Sequence, residues 1–313
     1  MRRFPPPGAS PRRGARRTVL LVLVAAGLVL SGCHPGNQAV KQLRRDCEAG
    51  SAVACNGFGL KLLKGEYVLR DPGRAAGLLK RACDGGVGEG CAQLGIMYQQ
   101  GRGVRRDSSR APELFRLGCQ QGGMEGCTGL GLLHRQGAGV PHDVVRAAAL
   151  FQQACDGGDK VGCSYLGDLY ATGEGVAQDF SRAATLLKQG CDAKAAFGCL
   201  GLGRLHLAGT GVARNDSLGV ELLKQACDGR EVAGCFHLAR NYEAGVGVTQ
   251  NFTRAADLYR EACEGRYGEA CFNLAGLYQR GAGVRQNSER ATALTKQACE
   301  RGYAAACPPG RGA

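Results

Sequence analysis

Cys83-Asp84-Gly85-Gly86-Val87-Gly88-Glu89-Gly90-Cys91 places two cysteines eight positions apart around four glycines. The same spacing pairs Cys47 with Cys55, Cys119 with Cys127, Cys155 with Cys163, Cys191 with Cys199, Cys227 with Cys235, Cys263 with Cys271 and Cys299 with Cys307. Each pair begins 36 residues after the one before, so the chain is an internal repeat. In a continuous helix, residues i and i+8 lie about 12 Å apart along the axis. A disulfide needs Cα atoms within about 4.4–6.8 Å. The segment between paired cysteines must therefore turn, and glycine supplies the freedom to do so. A bridge within each pair is the one scheme that every unit can copy. The spacing thus predicts eight local disulfides, each stapling the end of one helix to the start of the next. Each contributes about 2–3 kcal/mol by loop-closure entropy. Zinc ligands are usually about two to four residues apart, and no Cys-x-x-Cys redox spacing occurs.

Between the pairs the unit reads as a helical hairpin. Leu94 and Tyr98 are four apart on one helix face, and Phe58, Leu62, Leu166, Tyr170, Leu274 and Tyr278 repeat them. Gly95 and its equivalents, alanine at Ala239 and Ala275, remove bulk from that face. Glycine at Gly65, Gly101, Gly137, Gly173, Gly209, Gly245 and Gly281 marks the end of this helix A. A valine follows in each link, from Val68 and Val104 to Val284, and is expected to plug the core. Asp71, Asp107, Asp143, Asp179, Asn215, Asn251 and Asn287 then stand where an N-cap opens helix B. One such hairpin cannot bury its apolar face alone, and stacking buries it. The expected fold is all-α, a solenoid of αα-hairpins in 36-residue units with one disulfide each. Seven units occupy 55–307, a capping segment 33–54 precedes them, and 308–313 is an expected disordered tail.

The N-terminus reads as an export signal, 1–32. Six arginines with no acidic residue precede an apolar run at 19–30, which is shorter than the roughly 20 residues a spanning helix needs. Leu30-Ser31-Gly32-Cys33 resembles the lipobox of bacterial lipoproteins. That resemblance implies acylation of Cys33 and a membrane-anchored protein facing the periplasm or cell surface. Removing the signal leaves 34 Lys+Arg against 27 Asp+Glu. This modest excess is no nucleic-acid footprint, because no basic stripe is dense enough to track phosphates.

Leu-Gly-x-x-Tyr, then Gly-x-Gly-Val, then Asp/Asn-x-x-Arg-Ala-x-x-Leu resembles the Sel-like repeat family, relatives of the tetratricopeptide repeat. The cysteine pair in each unit is similar to that of the bacterial cysteine-rich Hcp-type members. The resemblance implies a right-handed superhelix with a concave groove, export, and a scaffold role in binding proteins or peptides. It also implies an alternative, a weak β-lactamase or penicillin-binding hydrolase. The residues do not support that chemistry. No Ser-x-x-Lys or Lys-Thr-Gly occurs in the mature chain, and His34, His134, His142, His206 and His237 are scattered. No catalytic, metal or cofactor site is expected.

Aligned to the tetratricopeptide pattern, residues one, five and eight past each helix A cysteine should line the groove. They include Asn56, Gln99, Thr128, Arg135, Ser164, Asp168, Arg204, Phe236, Arg240, Glu243, Phe272 and Gln279. Arginine and phenylalanine anchor interfaces. The expected centre of a groove for an extended or carboxylate-bearing peptide is therefore Arg204, Phe236, Arg240 and Phe272, with Asp168 beside it.

Overall fold

A computed structural model describes residues 35–308. Cys33 and the tail beyond Pro308 lie outside the described residues. Fifteen α-helices are present among these residues. Helix α1 (Pro35–Glu48) caps the front. The A helices are α2 (Ala52–Lys64), α4 (Gly88–Gln100), α6 (Met124–Gln136), α8 (Lys160–Thr172), α10 (Ala196–Ala208), α12 (Val232–Ala244) and α14 (Gly268–Arg280). The B helices are α3 (Pro72–Asp84), α5 (Ala111–Gln120), α7 (Val144–Asp156), α9 (Phe180–Asp192), α11 (Asp216–Asp228), α13 (Phe252–Glu264) and α15 (Ser288–Glu300). Each helix packs on its chain neighbours, and α4, α6, α8, α10 and α12 also touch one another in succession. No two B helices pack to that extent, so the A helices line the inner face of the solenoid.

All eight disulfides form within their pairs, with Cα atoms 4.5–4.8 Å apart. Cys47 bonds to Cys55, Cys83 to Cys91, Cys119 to Cys127 and Cys155 to Cys163. Cys191 bonds to Cys199, Cys227 to Cys235, Cys263 to Cys271 and Cys299 to Cys307. Of the second members, Cys55, Cys91, Cys127, Cys163, Cys199, Cys235 and Cys271 each stand in the first turn of an A helix. Cys307 differs: it ends a 3-10 turn at Ala304–Ala306. Each A helix starts three residues before its cysteine, and each B helix ends one residue after its own, so the bridge spans a tight turn. A chain with eight disulfides is suited to an oxidising compartment outside the cytoplasm. Among the described residues, no helix is long and apolar enough to cross a membrane.

Local chemistry explains the helix ends. The glycine after each A helix is left-handed, as Gly101 is at φ 68°, and its N–H returns to the Met97 carbonyl. Asp71, Asp143, Asp179, Asn215, Asn251 and Asn287 each accept the backbone N–H three residues on. Asp107 differs: it accepts from the Ser109 N–H, and a 3-10 turn at Ser108–Arg110 precedes α5. Pro112 explains this, because it lacks the N–H that would have bonded the Ser108 carbonyl, and the Ala111 N–H takes that acceptor instead.

The core follows the repeat. Phe58, Leu94, Leu130, Leu166, Leu202, Leu238 and Leu274 are buried, and the link valines are half-buried. A Cβ on Gly131 would stand 2.7 Å from the Phe151 ring, so glycine there allows α6 and α7 to approach closely. Across the A–B seam, Arg74, Arg110, Arg182 and Arg290 lie 4.4–6.0 Å over the rings of Phe58, Tyr98, Tyr170 and Tyr278. His134 and His206, which replace tyrosine, instead bond the link carbonyls of Pro141 and Ala213 at 3.1 and 3.2 Å.

Replacing Cys155 and Cys163 by alanine should lower the unfolding free energy by about 2–3 kcal/mol. Because a solenoid's cooperativity passes through neighbouring units, urea unfolding followed by circular dichroism should also broaden or split at this central joint.

Candidate partner-binding face

The inner face is built from four positions of each A helix: two residues before the cysteine, and two, five and nine after it. Their spacing of four, three and four places them on one helical stripe. Between α4, α6 and α8 they form a cleft of about 420 Å³ lined by Gln93, Ile96, Glu125, Leu132, Gln136, Val161 and Tyr165. Tyr165 stacks between Phe151 and Phe197, with ring centroids 5.3 and 4.6 Å away. Burial pushes the Glu125 carboxyl above its usual range, and the Gln93 amide bonded to it pulls the other way. Burial also raises the Tyr165 phenol.

The position one past the cysteine is not on this stripe, contrary to the sequence expectation. Asn56, Thr128, Ser164 and Phe236 are all buried there. The short stapled turn draws the next A helix against this position. Asn56 donates to Glu89 at 2.7 Å and Thr128 to Asp159 at 2.5 Å, across the unit boundary. Phe236 is 1 % exposed and packs on Tyr267 at 4.7 Å and Tyr259 at 6.0 Å, so it is a core residue and not a groove anchor. Phe272 is 37 % exposed, and the Tyr303 ring lies 5.3 Å away.

The other expected residues divide into paired and unpaired groups. Asp168 is half-buried and bonded to Arg135 at 2.8 Å, which also holds Glu174 at 2.8 Å. Glu243 accepts from the Tyr259 hydroxyl at 2.7 Å and from Arg280 at 3.0 Å. These carboxylates are committed to the scaffold. Arg204 and Arg240 are exposed and share a crevice of about 410 Å³ between α10 and α12 with Leu207, Ala208, His237, Asn241 and Ala244. Neither has an ion-pair partner among the described residues. Arg240 lies 5.9 Å over the buried Phe236 ring.

His237, Gln93 and Tyr165 were missed because the tetratricopeptide alignment puts the stripe one residue out of phase. The helical period itself, taken from the charged Asp168, Arg204 and Arg240, would have picked them up. Burial, reinforced by the adjacent Arg204 and Arg240 cations, lowers the His237 pKa to about 4.

Two other chemistries find no residues here. Cys227, Cys235 and Glu261 converge as three metal ligands would, but the two sulfurs are bonded to each other and offer no thiolate. Ser164 is buried and donates to the Lys160 carbonyl at 2.9 Å, as a structural helix serine does.

His237 generates a pH test. Its folded pKa lies below the unfolded value, so its stabilisation is complete above about pH 6.5 and is lost as the pH falls toward about 4. Acid titration of the wild type should show this loss, at most about 3 kcal/mol. His237→Gln should flatten the profile in that window, which thermal melts at several pH values would read.

Comparison with known proteins agrees with this geometry. The family model described as the Sel1 repeat matches seven times, at residues 52–87, 88–123, 125–159, 161–194, 196–230, 232–267 and 268–303. A search of curated proteins finds no match. Among solved structures, a protective antigen of uropathogenic Escherichia coli with an SLR fold is 26 % identical at a TM-score of 0.53. That match covers 85 % of this chain, which spans 65 % of the antigen's length. A Sel1 repeat protein from Oxalobacter formigenes is 24 % identical at a TM-score of 0.58, covering 85 % of this chain and 77 % of its own. Helicobacter pylori cysteine rich protein B is 28 % identical over 42 % of this chain and 93 % of its own, at a TM-score of 0.35. The seven matched repeats, each with its disulfide, are units of one solenoid, and the chain belongs to the Sel1 repeat family.

Proposed function

We propose that the chain is an exported, lipid-anchored scaffold that binds an extended peptide segment of a protein partner along its inner face. The observation that carries this is the Arg204–Arg240 crevice. The cations at Arg135 and Arg280 are neutralised by acidic neighbours, whereas these two guanidiniums stay exposed without one. They stand one unit apart beside an apolar floor of Leu207, Ala208 and Ala244. Such an arrangement suits a carboxylate, since arginine grips it with two parallel hydrogen bonds. The Tyr165 cleft, two units toward the N-terminus, offers an aromatic-lined pocket for an apolar side chain. Opposite chemistry at the two places gives a bound peptide a direction.

Anchoring at Cys33 is supported by the six arginines, the short apolar run and the Leu30-Ser31-Gly32-Cys33 sequence. The eight disulfides fit the same destination. Nothing in the residues favours the hydrolase alternative.

The mature chain with Cys33 replaced by serine should capture a partner from solubilised native membranes. Arg204→Ala with Arg240→Ala should weaken that capture at least about tenfold, since charge-assisted hydrogen bonds contribute about 1.5–3 kcal/mol each. Unchanged capture would remove this crevice from the binding face. In cells, Cys33→Ser in the full-length chain should move the protein from the membrane fraction to the soluble one, and retention in the membrane would refute the anchor.

A further inference from the structure

The first unit breaks the repeat at two neighbouring positions. The second glycine of each Gly-x-Gly link is left-handed, as Gly103 is at φ 71°, because it lies against the start of the preceding B helix. A Cβ on Gly103 would stand 2.3 Å from the Pro72 carbonyl. In the first unit that position is Tyr67, at φ 59° and 54 % exposed. A tyrosine in this conformation costs about 1–2 kcal/mol. Two residues on, where the other units have Arg105, Pro141, Ala177, Ala213, Thr249 and Arg285, stands Leu69. It is 90 % exposed, the most exposed of the large apolar side chains. Leu69 is thus left uncovered beside Tyr67, an apolar side chain that the first link presents to its surroundings.

Basic residues surround this pair. Lys64, Arg70, Arg102, Arg105 and Arg106 are exposed on the first two links, which meet where Gly103 touches Pro72 and Gly73. Arg105, Arg106 and Arg110 open onto a crevice of about 560 Å³ floored by Tyr98 and Val104. Its acidic member, Asp107, is held by Arg110 at 3.0 Å. Glu66 is likewise held by Lys61 at 2.6 Å. The next two links, 137–143 and 173–179, contain no lysine or arginine.

The position of the N-terminus says what covers the patch. Gly36, near the start of α1, lies against the Tyr67 ring, where a Cβ would be 2.5 Å away. Cys33 is three residues before Gly36, so the chain cannot carry it farther than about 11 Å from that point. Resting on the lipid-anchor reading, we infer that Tyr67, Leu69 and the arginines of the first two links form a docking surface for the anionic bilayer in which the Cys33 acyl chains sit. Tyr67 and Leu69 enter the headgroup layer, where amphipathic rings and exposed apolar side chains are favourable. Arg105 and Arg106 meet lipid phosphates, bidentate acceptors that suit guanidinium. The surface adds a second signal to the acyl anchor and holds the solenoid's front end on the membrane, while the Arg204–Arg240 crevice, four units away, projects from it.

The chain has no tryptophan, so single substitutions report cleanly. The probe is the unacylated mature chain, which tests the patch without the anchor. Its binding is measured with phosphatidylglycerol vesicles and with phosphatidylcholine vesicles. Leu69→Trp should blue-shift on phosphatidylglycerol and not on phosphatidylcholine. Val145→Trp, at an exposed site on α7, should shift on neither. Arg105→Gln with Arg106→Gln should weaken vesicle binding about tenfold or more, at about fivefold per cation. A Leu69→Trp spectrum unmoved by phosphatidylglycerol, or a Val145→Trp shift as large, would overturn the inference. Fatty-acid labelling at Cys33 reads the anchor separately, so loss of the patch and loss of the anchor are distinguishable.

Discussion

Six of the eight disulfides close a tight turn between helix B of one unit and helix A of the next, the first ties the capping helix α1 to α2, and the rest of the structure depends on that closure. With the bridged Cα atoms 4.5–4.8 Å apart, the A helices from α4 to α12 are pressed against one another in succession. This draws the A helices together on the inner side and leaves the B helices apart on the outer side. It also buries the residue after the A-helix cysteine in six of the seven units, Phe272 being the exception, and that residue then becomes a unit-to-unit joint. A hairpin of this length, with alanine and glycine throughout its seams, has little apolar area to bury by itself. The covalent staple offsets that shortage in every unit by restricting the unfolded chain.

The joints use different chemistry along the chain. At the front they are polar, with Asn56 on Glu89 and Thr128 on Asp159. Toward the C-terminus they are apolar, with Leu200 and Phe236 at the same position, and one continuous core runs from Ala183 to Ala298. The front half is instead divided into smaller clusters. The same backbone plan therefore carries a rear section with one continuous core and a front section of smaller cores joined by polar contacts. The exposed arginine pair stands on the continuous-core section, where well-packed supports help a guanidinium select a partner group.

Charge is distributed by the same logic. Most ion pairs are local, within one helix turn, and contribute little to stability. The Arg135–Asp168–Glu174 triad crosses a unit boundary and is half-buried, so it fixes the relation of two A helices. Where a cation on the inner face is not consumed this way, as at Arg204 and Arg240, it remains available to an external carboxylate. At the front, Arg70, Arg102, Arg105 and Arg106 on the first two links are likewise exposed. On the proposed reading, a scaffold tethered at one end and receptive in the middle would hold a partner at a membrane.

Sequence by itself determined the repeat, the helical hairpin, the disulfide pairing and the helix ends. These are local matters: a period, a spacing too short for a helix to bridge, a glycine or an Asp/Asn at a helix end. It also singled out Arg204 and Arg240, because charge at a regularly spaced position stands out against a unit pattern repeated within the chain. Only the tertiary structure decided which side of helix A faces the partner. That phase depends on how far the stapled turn rotates one unit against the next, which no single unit encodes. For this reason Phe236 became core, His237 and Tyr165 came to the face, and Asp168 was taken up by Arg135. Tyr67 and Leu69 followed the same rule: their meaning came from the packing that sets Gly36 of α1 against the Tyr67 ring.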